Sequence, residues 1–412
     1  MSFSQIKDDI CQRKTRFSVF LSSILSEPLF TIYGFTALIL RKHLDATAFQ
    51  VSLLISLKPL LSILSFYWSS HLSKKPHKLR ANFLGAGFLA RLPFLFFPFV
   101  ESSWFLVVSA AIYMLFSRAG TPAWMEILKI NLPKKKRERI FSAGYTLSYI
   151  EGMILVIGVG SLLDSNPSTW KILFFVSALL GLINLLYLSR LPINQEVEIV
   201  ENRETWKCTL KRPWKKCFEL MRTRPDFAHF QWGFMFCGAG IMLVQPAIAL
   251  YLADTINISF TEWGIATTVC KGIFIALSSP VWSRLMNKYS IFTLSSWVFV
   301  LVGFLPFFLL FSSFSIAWVY LAYLFYGIAQ GGSHLIWHLS GPSFSGEEDS
   351  SIYSGVNVMM VGVRGAVAPA LGGLLCVYLG PLAVLAMGAL LCVYSGFYIA
   401  NKKKFALVEE SS

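Results

Sequence analysis

Twelve apolar stretches, each about as long as a bilayer core is thick, divide this chain, and the loops between them alternate between rich and poor in Lys and Arg. A hydrocarbon core about 30 Å thick takes roughly 20 apolar residues as helix. Spans are expected near 17–40, 48–70, 79–100, 104–128, 140–163 and 170–190, then near 227–253, 260–284, 290–312, 314–339, 351–379 and 381–400. One set of loops holds Lys7, Arg13, Lys14 and Arg16, then Lys74, Lys75, Lys78 and Arg80, then Lys129, Lys134, Lys135, Lys136, Arg137 and Arg139. The same set continues through the stretch from Arg190 to Arg224, with Arg284 and Lys288, to Lys402–Lys404. The opposite set keeps only Arg41, Lys42 and Lys171. By the positive-inside rule the rich side is cytoplasmic, so both termini are expected there and the chain in the inner or plasma membrane.

Composition excludes an ordinary soluble domain: 55% of residues are hydrophobic and 14% charged. The net charge of +14 does not call for a nucleic-acid partner. Its basic residues are spread over loops that face an anionic leaflet. Of the seven cysteines, Cys11, Cys208 and Cys217 fall on the reducing side, and Cys237, Cys270, Cys376 and Cys392 within spans, so no disulfide framework is expected. The first span lacks the short apolar core and cleavage site of a signal peptide and is expected to stay in the mature protein.

The chain divides into an N-terminal bundle over 1–190, a basic cytoplasmic linker over 191–226 and a C-terminal bundle over 227–412. In the linker Leu210, Trp214, Phe218 and Met221 recur near helical spacing opposite Lys207, Lys211, Arg212, Lys215 and Lys216. That pattern predicts a helix lying on the inner leaflet, interrupted or restarted at Pro213, with Trp206 and Trp214 as anchors. A disordered tether is the alternative.

The halves echo each other at a shift of about 213 residues. Tyr113 and Trp124 return as Tyr326 and Trp337; Glu27-Pro28 with Tyr33 is answered by Gln245-Pro246 with Tyr251; Ile140-Phe141-Ser142 matches Ile352-Tyr353-Ser354; Gly160-Ser161-Leu162-Leu163 loosely matches Gly373-Leu374-Leu375-Cys376.

Charges inside spans are expensive and need a reason. At about 1.5 Å rise per residue, Glu27, Lys58, Arg91, Glu151, Lys271 and Arg364 fall near the midplane, with Arg118 a turn closer to the cytoplasm and Glu126 near that end. Glu151-Gly152 and Arg364-Gly365 are repeat mates of opposite sign, and Lys58 and Lys271 repeat mates of the same sign. Each could be a structural ion pair, such as Glu27–Arg118 or Glu151–Lys58. Cations outnumber anions at depth, however, and an unpaired buried cation wants an anionic ligand or water. Span ten is the most polar, with Tyr323, Tyr326, Gln330, Gly331, Gly332, Ser333, His334, Trp337 and His338. His334 and His338 share a face, but no third ligand is evident, so no metal site is expected and interfacial or gating roles are the better reading.

With two six-span halves, inside termini and a long central loop, the chain resembles the major facilitator superfamily over essentially its whole length. The resemblance implies an all-α membrane protein of two pseudo-symmetric six-helix bundles. It also implies that spans one, four, seven and ten line a cavity and that spans two, five, eight and eleven form lateral walls. The local motifs are weaker. Trp68-Ser69-Ser70-His71-Leu72-Ser73-Lys74-Lys75 keeps the basic end of the family's loop after span two without its Gly and Asp, and Trp282-Ser283-Arg284 also lacks the acid. Arg118-Ala119-Gly120 resembles the family's Arg motif of span four, often tied to proton handling. The Gly-Pro motif that drug exporters carry in span five is missing; Gly365, Pro369, Gly372 and Gly373 provide something like it in span eleven, where close helix packing is the simpler reading.

The expected function is secondary active transport of a small anionic organic solute by alternating access, with proton coupling. Lys58, Arg118, Lys271 and Arg364 would hold the anion, Gln245, Tyr326, Gln330 and Asn357 would add polar contacts, and Glu27 or Glu151 would carry the proton. No Gly-x-x-x-x-Gly-Lys-Ser/Thr sequence for ATP is present, and no cofactor is implied. The expected partners are the small-molecule substrate and the lipid bilayer, with the protein a monomer. A multidrug exporter of the same fold is the alternative, although a cationic midplane repels lipophilic cations. A multi-pass membrane enzyme or a non-transporting sensor belong to other classes. The first would gather catalytic or metal-binding groups that are not seen here, since Glu347-Glu348-Asp349 reads as a solvated loop, and the second often carries a soluble signalling domain.

Overall fold

The computed structural model describes residues 3–72, 79–191, 206–345 and 350–401. The loop basic cluster Lys74, Lys75 and Lys78, the acidic run Glu347-Glu348-Asp349, most of the linker before Trp206 and Lys402–Lys404 lie outside the described residues, as do the side chains of Lys58 and His338. Every regular element among the described residues is helical. In hydrocarbon a helix satisfies its backbone N–H and C=O groups within one segment, which open strands cannot do.

The first span is α1 (Phe3–Gly34) followed by α2 (Thr36–His43), not one unbroken helix. At the junction the Phe35 N–H bonds back to the Ile32 carbonyl, one residue short of the α-helical register. Spans two and three are α3 (Ala48–Leu72) and α4 (Leu79–Arg91). The α-helix stops at Arg91 because Pro93 has no N–H and crowds the residue before it, and a 3-10 turn over Leu92–Phe96 carries the chain on. Spans four to six are α5 (Ser103–Asn131), α6 (Lys134–Ser165) and α7 (Thr169–Leu188). The linker helix is α8 (Trp206–Thr223). Span seven is α9 (Pro225–Asp254). Span eight begins as the short α10 (Phe260–Gly264), widens into a π-helical stretch over Ile265–Cys270, and continues as α11 (Lys271–Met286). Spans nine to twelve are α12 (Ile291–Leu309), α13 (Ala317–Ser345), α14 (Ser350–Leu379) and α15 (Pro381–Ala400). Nine helices among the described residues are long and apolar enough to cross a membrane.

The chain forms two compact units that follow the two halves except at two places. Residues 47–60, the first part of α3, belong with the second unit, and residues 259–264, essentially α10, belong with the first. Side-chain geometry accounts for both exchanges. In the second unit a Cβ on Gly365 would come within 2.2 Å of Pro59, and one on Gly373 would strike Ser52. In the first unit Gly160 meets the backbone of Thr261, where a Cβ would lie 2.8 Å from its Cα. Beside it Asp164 caps α10, accepting from the Phe260 N–H (2.7 Å), the Thr261 N–H (3.0 Å) and the Thr261 hydroxyl (2.7 Å).

Within the first unit, Phe94, Phe97, Trp170 and Phe174 pack ring on ring, and α1 is tied to α5 by Asn131 donating to the Thr15 hydroxyl (3.1 Å). Within the second unit, Phe227, Phe230, Phe234, Phe299, Tyr353 and neighbours form the core. There α9 and α15 meet at paired glycines: a Cβ on Gly240 or on Gly388 would stand 3.0 Å from the other's carbonyl. Small residues allow such close backbone approach where lipid supplies no hydrophobic driving force between helices. Helix α8 splits its apolar residues. Cys217, Leu220 and Met221 pack on the second unit's core, whereas Trp214 and Phe218 are exposed.

Candidate functional site

Each unit encloses a pocket, and the two are built by the same face of repeat-related helices. On α5, Ser117, Gly120, Thr121 and Trp124 line the first unit's pocket. On α13 the residues 213 positions later, Gln330, Ser333, His334 and Trp337, line the second unit's. Each tryptophan is packed against a phenylalanine, Trp124 on Phe83 (5.2 Å between ring centres) and Trp337 on Phe234 (5.4 Å). The internal repeat read from Trp124 and Trp337 therefore extends to the lining of a cavity.

The second unit's pocket is the larger, about 330 Å³, within the range of small-molecule sites. Its walls come from α9 (Phe234, Cys237, Gly238, Ile241), α12 (Phe299, Val302), α13 (with Tyr326) and α14 (Val361, Arg364). Arg364 supplies its charge. The residue is only 9% exposed, it donates to the Phe234 carbonyl, and its guanidinium carbon stands 4.3 Å from the centre of the Phe234 ring. Gly238 makes this seat possible, since a Cβ there would fall 2.0 Å from that carbon. The Arg364 Nε is sealed from solvent without a partner, and no carboxylate of the described residues lies within ion-pair distance. Gln330 also lines the pocket, and its Oε1 is likewise buried and unpartnered. A buried guanidinium without a counter-ion is costly, and an anion in the cavity relieves that cost. The aromatic walls provide flat apolar surface beside the charge.

The remaining sequence candidates separate from this pocket. Asn357 is two helical turns from Arg364 on the same face of α14, but it is sealed in the bundle. It accepts from Gln231 of α9 and donates to the Ser340 hydroxyl (2.7 Å), so its amide is consumed in bridging three helices and does not line the cavity. Gln245 and Arg118 are exposed and line neither pocket. Lys271 follows the π-helical stretch, and its carbonyl lies so near α13 that a Cβ on Gly327 would come within 2.4 Å of it. The pocket that holds Arg364 contains neither Lys271 nor Glu151.

Glu27 and Glu151 do come together, in the first unit. The Glu27 carboxylate lies against Gly152, where a Cβ would be 2.7 Å from its Oε1, and it feels the charge of Glu151, the residue before Gly152. The Glu151 Oε2 is buried without a partner. The expected Glu27–Arg118 bridge does not form among the described residues. Ion pairs that do form among the described residues include Lys171–Glu101 (2.6 Å), Lys129–Glu126 (3.0 Å) and Arg224–Asp226 (2.9 Å).

Sequence reasoning missed Phe234, Cys237 and Gly238 as pocket residues because they are apolar or small positions on a uniformly apolar helix. It also missed that the Arg91 side chain opens on a pocket in the first unit. The spacing of Ser117, Gly120, Thr121 and Trp124 against their repeat mates carried that signal.

The comparisons agree with this architecture. The nucleoside transporter NupG superposes with a TM-score of 0.67 at 13% identity, over 96% of this chain and 99% of that one. A POT family transporter in complex with 5-aminolevulinic acid gives 0.72 at 12% identity, over 94% and 95%. A bacterial homologue of the human lysosomal transporter Spinster gives 0.65 at 13% identity, over 95% of each chain. No curated protein matches the chain in sequence. At these identities the structures speak to fold. The family model of the Major Facilitator Superfamily, in contrast, matches residues 19–369. The chain accordingly belongs to the major facilitator superfamily and is a multi-pass membrane transporter, not an enzyme.

Proposed function

We propose that this protein moves a small organic anion across the cytoplasmic membrane by alternating access, and that Arg364 is the residue on which the anion is held. The single observation that carries this reading is the buried guanidinium of Arg364, without a carboxylate partner, on the wall of a pocket of about 330 Å³. Tyr326 and Gln330 supply hydrogen bonds, and Phe234 and Trp337 supply flat walls for an apolar body. Of the sequence candidates, Arg364, Tyr326 and Gln330 line this pocket and are the proposed substrate contacts. Glu27 and Glu151 are the proposed proton carriers, because a proton on either removes the repulsion between two neighbouring carboxylates.

The reading is tested on purified protein in proteoliposomes. Anionic metabolites with an aromatic or apolar body are expected to stabilise the protein and to be taken up under a proton gradient, while Glu151→Gln keeps binding and loses the dependence of transport on pH. Stabilisation by lipophilic cations, with no response to any anion, would sink the anion reading in favour of a multidrug exporter. The aromatic walls are the observation that keeps that second reading open.

We also propose that both termini face the cytoplasm and that α8 rests on the inner leaflet through its exposed Trp214 and Phe218. A reporter fused after Asn166 is expected to read the outside and one at the C-terminus the inside. Same-side readings would refute this orientation.

A further inference from the structure

The first unit's pocket, about 190 Å³, is built around an arginine to which the proposed transport reading gives no role. Arg91 ends α4, and its side chain is let in by Gly181 of α7, where a Cβ would lie 2.1 Å from the Arg91 Nε and 2.7 Å from its Cδ. A guanidinium carries five N–H donors. Two are engaged, one to the Gly87 carbonyl (2.9 Å) and one to the Ser26 hydroxyl (3.3 Å), and the Nε is sealed from solvent without a partner. No carboxylate lines the pocket. The adjoining Glu27 turns its carboxylate to Gly152 of α6 instead.

The neutral groups around Arg91 point the same way. The Ser26 oxygen accepts from both Arg91 and the Asn184 amide (3.3 Å), so its own O–H proton is left to donate. Asn184 spends its carbonyl on the Ser22 hydroxyl (3.1 Å) and keeps a second amide N–H. Ser117 and Thr121 complete the polar rim. An arginine, a hydroxyl and an amide thus border a cavity whose lining holds no acid, with room for a few atoms and some water.

We propose that this pocket is an anion site separate from the Arg364 pocket, taking a small planar oxyanion or carboxylate group on the guanidinium fork of Arg91, with Ser26 and Asn184 as neutral donors. It stands whether or not Arg364 holds a transported substrate, because the two pockets share no residue.

Thermal unfolding of the full chain in detergent tests it, with sodium nitrate or sodium acetate titrated at equal ionic strength against sodium MES, whose sulfonate is tetrahedral and carried on a morpholine ring. A saturable rise in Tm of about 3 °C or more is expected. The rise should persist in Arg364→Gln and vanish in Arg91→Gln, and Ser26→Ala should move its midpoint to about tenfold higher anion. No saturable rise in the wild-type protein overturns the proposal. So does a rise that disappears in Arg364→Gln, which would place the anion in the other pocket. Should Arg91→Gln fail to fold, Ser26→Ala decides, and an unchanged midpoint there overturns the assignment.

Discussion

Replacing Arg364 by Gln is expected to weaken binding of the anionic substrate by at least about thirtyfold, and by as much as several thousandfold, while leaving the protein folded. The range follows from about 2–5 kcal/mol for truncating one partner of a buried, hydrogen-bonded charge pair. Gln retains a donor for the Phe234 carbonyl, yet it removes the charge that stands over the Phe234 ring. Stability should change little without ligand, because the substitution also removes a buried cation that no carboxylate of the described residues neutralises. Arg364→Lys should recover only part of the affinity, since an ammonium lacks the planar fork that grips a carboxylate at two points. Isothermal titration with the anions that stabilise the wild-type protein, beside unfolding of the same variants without ligand, checks both halves of the expectation. Undiminished affinity in Arg364→Gln would leave Arg364 as a packing residue and remove it from the site.

Gly372→Val is expected to be the most damaging single substitution for folding, costing at least about 3 kcal/mol or preventing recovery of monodisperse protein. Gly372 lies on α14 where that helix crosses α9. A Cβ there would stand 2.0 Å from the Leu243 carbonyl oxygen and 2.9 Å from its carbon. The obstacle is backbone, so no rotamer change relieves it, and the helices must separate. Gly355, near the start of the same helix, has open space around its Cβ direction. Gly355→Ala should therefore be neutral or slightly stabilising through helix propensity, by less than about 1 kcal/mol. Size-exclusion profiles and Tm of the two variants side by side provide the test. Equal behaviour would mean that the α9–α14 contact tolerates expansion.

The contrast between these two glycines marks the limit of what is legible in the amino-acid sequence. Both lie in an apolar helix, and nothing in the neighbouring sequence says which of them meets another backbone. The same limit applies to Asn357 and Arg364. Their spacing of two turns correctly puts them on one face, but that face turns to α9, where Gln231 seals the first and Phe234 seats the second. Glu27 and Glu151 are separate candidates by depth and prove to be neighbours, whereas Arg118 and Gln245, also candidates from the sequence, stand exposed and line neither pocket.

The all-helical, membrane-spanning character of the chain and the repeat that joins its halves were determined by the sequence alone, because each helix in a bilayer must satisfy its own backbone and so must be written locally as a long apolar run. The early stop of α4 belongs to the same class, since Pro93 announces it. What only the tertiary structure decided is how each helix is rotated about its axis and which part of it joins which unit. Helices apolar on every side carry no amphipathic stripe to declare an inward face. Their rotation is set by where small residues let backbones approach, at Gly240 against Gly388, Gly372 against Leu243 and Gly160 against Thr261. Those contacts join residues far apart in the chain, and they, not the depth of a charge along its span, put Arg364 and Arg91 on the walls of two pockets.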